Sequence, residues 1–279
     1  MISMMNKEVE NIITKNSYLT PSRYTSGRIV EYDIRSANIS VLRNSNIISE
    51  EDYYRLRDLP KMEREKAIGL MMQKDTKIYE YIKEGIIQAK LELVRNNPSI
   101  TPMSIVRVAN DAVYINSQLD LENTTFGNYI FFAKKNEFSH MLILDKIIIL
   151  LGYLSDGNIN VDIKGINKHN QIFHQNYMIN FIISTIVILD RSGVKEAINY
   201  MTGFVEQYLH LNLPVDYYRE FNANSQYRLR QDLFKYFSDS LTVDNLDDFG
   251  IYHIDINFNY YIIRELWSIL LNIYNREVR

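Results

Sequence analysis

The stretch Arg28-Ile29-Val30-Glu31-Tyr32-Asp33-Ile34-Arg35-Ser36-Ala37-Asn38-Ile39-Ser40-Val41-Leu42 changes period halfway along. "RIVEYDI" reads as a buried β-strand, rich in β-branched and aromatic residues. From Ser36 to about Asn44 the apolar positions fall at helical spacing. Neither Gly nor Pro marks the join; an acid, Asp33, stands there instead. An ionisable side chain fixed between a strand and a helix is a candidate for chemistry, and the reading of the chain works outward from it.

The chain has 279 residues, 46% of them hydrophobic and 23% charged, which suits a packed globular protein of one large or two small domains. The absence of cysteine excludes disulfide scaffolds, thiolate metal sites and cysteine nucleophiles. A net charge of −3 means that any nucleic-acid site must be a local basic surface. The N-terminus lacks the layout of a signal peptide. Of the two most apolar runs, 141–154 carries Asp145 and Lys146, and 181–189 is too short to span a bilayer. A cytoplasmic protein without a membrane partner is expected.

Residues 1–27 read as a peripheral segment with one short helix. After the opening strand and helix, Ser49 is a good N-cap for the helix of residues 50–59. Pro60 then opens a proline-free helical stretch to Arg95, with Ile78, Ile82, Ile86, Ala89 and Leu93 at helical spacing, ended by Asn96-Asn97-Pro98. "SIVRVANDAVYIN" reads as strand, tight turn and strand, with Ala109-Asn110-Asp111 at the turn. Residues 128–144 read the same way, with a bend near Lys135-Asn136-Glu137. Residues 146–166 read as a further strand pair around Asp156-Gly157. Beyond about residue 170 the pattern is helical to the end.

Asp33 and Asp111 each fall at the end or turn of an expected strand in apolar surroundings. If the two strands are neighbours in one sheet, their carboxylates come close together. Hard oxygen ligands suit Mg²⁺, which binds through one or two carboxylates and substrate phosphates. Two such ions can activate an attacking oxygen and stabilise a leaving one. The same two acids also suit plain structural roles, as a helix cap and a turn residue.

The order of these segments resembles the palm of B-family DNA polymerases. "YDIRSANISVL" is similar to that family's first motif, D-x-x-S-L-Y-P-S-I-I, through Asp33 and Ser36, with Asn38 in place of its Tyr. "VANDAVYI" is similar to the third motif, Y-x-D-T-D-S-V-Y-V, through Asp111 and Val113-Tyr114-Ile115. Ala109 replaces the first aspartate of that motif. "FAKKNEFSHML" looks like the K-K-x-Y strand through Lys134, Lys135 and Phe138. "VDIKGINKHN" looks like the K-G segment before the thumb, at Lys164 and Gly165. The fingers match least: Lys61, Arg64 and Lys66 stand where the family's helix carries its triphosphate-binding lysine, and Glu63 and Glu65 alternate with them as on a solvated helix face.

The resemblance implies an α+β fold: an antiparallel palm sheet with helices on one face, short helical fingers and a helical C-terminal thumb-like domain. Its divisions would be a palm over 28–170 with fingers at about 45–100, and a thumb over 171–279. It implies nucleotidyl transfer with Mg²⁺ or Mn²⁺ held by Asp33, Asp111 and the carbonyl of Ile34. Ser36, Asn38, Lys61, Arg64 and Lys66 would bind the nucleotide. Lys134, Lys135, Lys164, Arg228 and Arg230 would hold primer–template nucleic acid. The exonuclease domain has no counterpart, as in a reduced viral or phage-type enzyme acting in the host cytoplasm, with a partner protein supplying the missing domains. The alternative is a catalytically inactive, polymerase-derived subunit that binds nucleic acid or a partner protein. Asn in place of Tyr at position 38 implies weaker exclusion of a 2′-hydroxyl. The five histidines show no metal-ligand spacing.

Overall fold

The computed structural model describes residues 2–15, 23–144, 147–164, 176–214, 217 and 256–278. The helices are α1 (Ile2–Lys15), α2 (Ala37–Asn44), α3 (Glu50–Asp58), α4 (Lys61–Lys74), α5 (Lys77–Arg95), α6 (Asn176–Ser192), α7 (Val194–Leu209) and α8 (Ile256–Glu277). The strands are β1 (Tyr24–Ile34), β2 (Ile105–Val108), β3 (Ala112–Asn116), β4 (Thr125–Phe126), β5 (Ile130–Leu144), β6 (Ile147–Tyr153) and β7 (Ile159–Lys164). They form a seven-stranded sheet in the order β2-β3-β1-β5-β6-β7, with β4 on β5. The fold is α+β. The chain divides into two compact units, Met1–His140 with Gly152–Asn158, and Met141–Leu151 with Ile159–Arg279.

In the first unit β1 lies antiparallel to β3 in a register that sets Asp33 opposite Ala112, Tyr32 opposite Val113 and Glu31 opposite Tyr114. Alternation along the strands sorts side chains by face. Val30, Tyr32, Ile34, Val113 and Ile115 enter the hydrophobic core. Glu31 and Asp33 fall on the other face. The core is closed by helices: α2 contributes Ile39, Val41 and Leu42, and α5 contributes Ile78, Ile82, Ile86, Ala89 and Leu93. Each of the larger side chains adds about 1.5–3 kcal/mol on burial. The N-terminal segment read as peripheral sends Val9, Ile12 and Ile13 of α1 into this core as well.

Two elements differ from their sequence reading. Residues 128–144 do not fold into a hairpin, since β5 is one strand of 15 residues. The polar Lys135-Asn136-Glu137 run is not a bend, because its side chains find partners on β1. Lys135 reaches Asp33, Asn136 reaches Glu31 and Glu137 reaches Arg28. The stretch after Pro60 is two helices, not one. Asp75 takes an extended backbone, and its carboxylate accepts from Lys77 N–H at 2.9 Å, which caps α5 afresh.

In the second unit α6 packs on α7 and α7 on α8. Phe181 and Phe204 stack at a centroid distance of 3.6 Å, and Ile182, Ile186, Met201, Leu266 and Leu270 are buried. Trp267 of α8 is partly buried.

The crossing of α2 and α5 is close because α5 carries Gly85 there. A Cβ at Gly85 would collide with a methyl of Val41, a buried and β-branched neighbour with no room to turn away. Gly85→Ala gains about 1 kcal/mol of helix propensity, against about 1–3 kcal/mol for overpacking. It is expected to lower stability by about 1 kcal/mol in urea unfolding. Adding Val41→Ala should relieve the collision, so that the double-mutant cycle gives a favourable coupling energy.

Candidate functional site

The end of β1 is bonded from both sides. Ile34 N–H donates to the carbonyl of Asp111 and Arg35 N–H to that of Phe131, each at 2.9 Å. Ser36 then takes the left-handed conformation, φ 52° and ψ 45°, and turns the chain into α2. Its hydroxyl makes no cap bond; Ser40 Oγ donates back to the Arg35 carbonyl at 2.9 Å instead. A non-glycine residue in this region costs about 1–2 kcal/mol. Strain of this kind is concentrated at functional sites.

Asp111 sits in the two-residue turn between β2 and β3, closed by Ala109 N–H on the Ala112 carbonyl at 2.8 Å. Asp33 and Asp111 therefore meet at one end of two paired strands. They line a cleft of about 230 Å³ with Ile34, Ser36, Asn38, Lys61 and Arg64. Of the residues expected to bind nucleotide, Lys66 alone does not line it. Positions 61, 64, 65 and 68 share one face of α4 at helical spacing, and Lys66 falls off that face. Glu65 lines the cleft as well, with its carboxylate 3.7 Å from the Lys61 ammonium.

The expected primer–template residues have other occupations. Lys135 Nζ pairs with Asp33 Oδ2 at 2.7 Å, and this bond holds the lysine proton more tightly than usual. Lys134 Nζ lies 3.1 Å from both Asp120 and Glu137, in a cluster that also engages Arg28. Lys164 lies 3.6 Å from Asp162. Arg228 and Arg230 lie outside the described residues.

The charge balance at the site is strained. Burial pushes the Asp111 carboxyl upward, and the Asp33 charge pushes it further, while Lys135 and Lys90 pull it down. Asp33 Oδ1 is buried without a hydrogen-bond partner among the described residues. A carboxylate oxygen without a donor beside a second, mutually repelling carboxylate fits a cation held through hard oxygens. Among the described residues no group of three or more His, Cys, Asp or Glu side chains could hold a metal ion, so the rest of any coordination shell must come from backbone, water or substrate.

One participant was not anticipated. Lys90 of α5 is 2% exposed, and its ammonium donates to the carbonyls of Ala109 and Asn110 at 2.9 and 3.2 Å. Burial lowers its pKa to about 8, opposed by the charge of Asp111. It braces the turn that carries Asp111. The signal in the sequence was a lysine four residues after Ile86, on the stripe where apolar residues are expected.

Two outcomes follow from these charges. Asp111 has a higher pKa folded than unfolded, so its ionisation opposes folding once pH exceeds the unfolded value. Asp111 is itself exposed, so solvent screens most of this repulsion, and Asp111→Asn should raise Tm only slightly at neutral pH without divalent cations. The gain should vanish near pH 3, and a fall in Tm at neutral pH would show instead that the ionised carboxylate is held by favourable contacts. Lys90 has the opposite linkage: from about pH 8 to the ordinary lysine range the unfolded chain binds more protons, so stability rises with pH. Urea titrations should show wild type gaining stability relative to Lys90→Met between about pH 7.5 and 9.5.

Among the described residues no helix is long and apolar enough to cross a membrane. Curated proteins give no match to the chain. A family described as Bacteriophage PBS1 gene 130 protein matches residues 5–272, a span that takes in the whole cleft, α6, α7 and most of α8. The chain belongs to that phage family.

Proposed function

We propose that this phage protein is a compact nucleotidyltransferase, similar to a DNA polymerase palm, that uses two divalent metals to join a nucleotide to a primer 3′-hydroxyl. The observation that carries the reading is the shared cleft: two aspartates from neighbouring strands face two cationic side chains, Lys61 and Arg64, across the start of α2. Asp33, Asp111 and the carbonyl of Ile34 would hold Mg²⁺ or Mn²⁺, which when bound lowers the pKa of the attacking hydroxyl and offsets phosphate charge. Lys61 and Arg64 would bind the triphosphate oxygens and stabilise charge gathered there during transfer. Ser36 and Asn38 would bound the sugar. Primer–template nucleic acid would be the macromolecular substrate, a partner protein would supply the missing polymerase domains, and the host cytoplasm would be the place of action.

A second reading has its own support. Ala109 stands where the polymerase motif has an acid, and Lys135 already neutralises one oxygen of Asp33 at 2.7 Å. A catalytically inactive, polymerase-derived subunit that binds nucleic acid or a partner would tolerate both.

Primer extension with Mg²⁺ or Mn²⁺ separates the readings. Activity in the wild type that falls about 100-fold or more in Asp33→Ala and Asp111→Ala supports the first, on the scale of losing one electrostatic stabiliser of a transition state. Binding of primer–template without extension by any of the three supports the second. In the active case, Asn38→Tyr should raise the preference for dNTP over NTP about tenfold or more, the scale of a changed pocket contact.

A further inference from the structure

We infer that a second cleft, beside the first, binds single-stranded nucleic acid by stacking bases on aromatic rings and pairing phosphates with arginines. This cleft, of about 450 Å³, lies between α3 and the β4–β5 hairpin. Arg35, Arg57, Tyr53, Tyr129, Asn128 and Phe131 line it, and none of its described lining residues is acidic. Ser36 lines both clefts, so the two adjoin at the residue that turns β1 into α2.

The side chains are arranged as alternating cations and rings. The Arg35 guanidinium lies 5.9 Å from the Phe131 ring centre, and Arg57 lies 4.7 Å from Tyr54 and 6.0 Å from Tyr53. Arg43 lies 4.9 Å over Tyr129, whose ring meets Tyr53 edge-on at 4.9 Å. Phe131 is 39% exposed and Tyr54 42%. Phe131 is thus a partly exposed ring on a strand with a guanidinium over it, an arrangement in which cation and ring attract. Among the described residues Arg35 pairs with no carboxylate, and Arg57 pairs with Asp58, at 3.3 Å on an exposed edge. Guanidinium groups set between aromatic rings, one of them without a carboxylate partner among the described residues, match a strand whose phosphates and bases alternate. A duplex hides its base faces and offers nothing to Phe131. The arrangement requires no metal, so it holds whether or not the aspartate cleft is catalytic.

The test is fluorescence anisotropy with a labelled oligothymidine of about 12 nucleotides, within the usual site size for such platforms, in EDTA so that metal-dependent chemistry plays no part. Wild type should bind, and should prefer the single strand to a duplex of equal length. Arg35→Ala and Arg57→Ala should each weaken binding several-fold and reduce the slope against log salt by about 0.7. Phe131→Ala should weaken binding at least about fivefold, and Phe131→Trp should retain it. No binding by wild type, equal affinity for duplex, or unchanged affinity in Phe131→Ala overturns the inference. Competition by polyglutamate as effective as that by unlabelled oligothymidine also overturns it, in favour of an acidic protein partner. Circular dichroism of each variant guards against loss of fold.

Discussion

Two backbone hydrogen bonds at the end of β1 fix everything around them. Ile34 N–H is held by the Asp111 carbonyl and Arg35 N–H by that of Phe131, so the strand cannot twist or slide at its last residue. The bond from Ile34 brings the turn of Asp111 against Asp33. The bond from Arg35 brings β5, and with it Lys135, alongside. The chain then has one residue, Ser36, in which to leave the sheet and begin α2, which forces a left-handed backbone there. The α2–α5 contact at Gly85 sets how far the new helix can lean.

The polar face of the sheet spends stability on charge. Glu31 is almost wholly buried, yet both of its oxygens are satisfied, by the Tyr114 hydroxyl at 2.7 Å and Asn136 at 2.8 Å. Two residues on, Asp33 has one oxygen paired and one left without a donor among the described residues. The contrast separates a structural carboxylate from one available to a ligand. Lys90 and Lys135 partly offset the crowding of Asp33 and Asp111 without removing it. Proteins retain such unfavourable pairs where binding or chemistry compensates for them.

Much of this was legible in the sequence where local pattern and tertiary outcome coincide. The period change at Asp33, the tight turn at Asn110-Asp111 and the apolar stripe of α5 all depend on spacing alone, and each appears where the spacing put it. The α+β class, which the polymerase resemblance implies, is the one these elements build. The long strand β5 was not legible as one strand, because Lys135, Asn136 and Glu137 look like a turn until their partners on β1 are known. Lys90 was missed for the same reason: its carbonyl acceptors lie about 20 residues along the chain, beyond any local window. Lys66 was favoured as a basic residue on the right helix, but which face of α4 borders the cleft depends on packing, not on composition.

Ser36 belongs to the walls of both clefts. Its φ of 52° and ψ of 45° fix where both walls meet the end of β1. A change of backbone at this one position therefore alters the lining of both recesses at once.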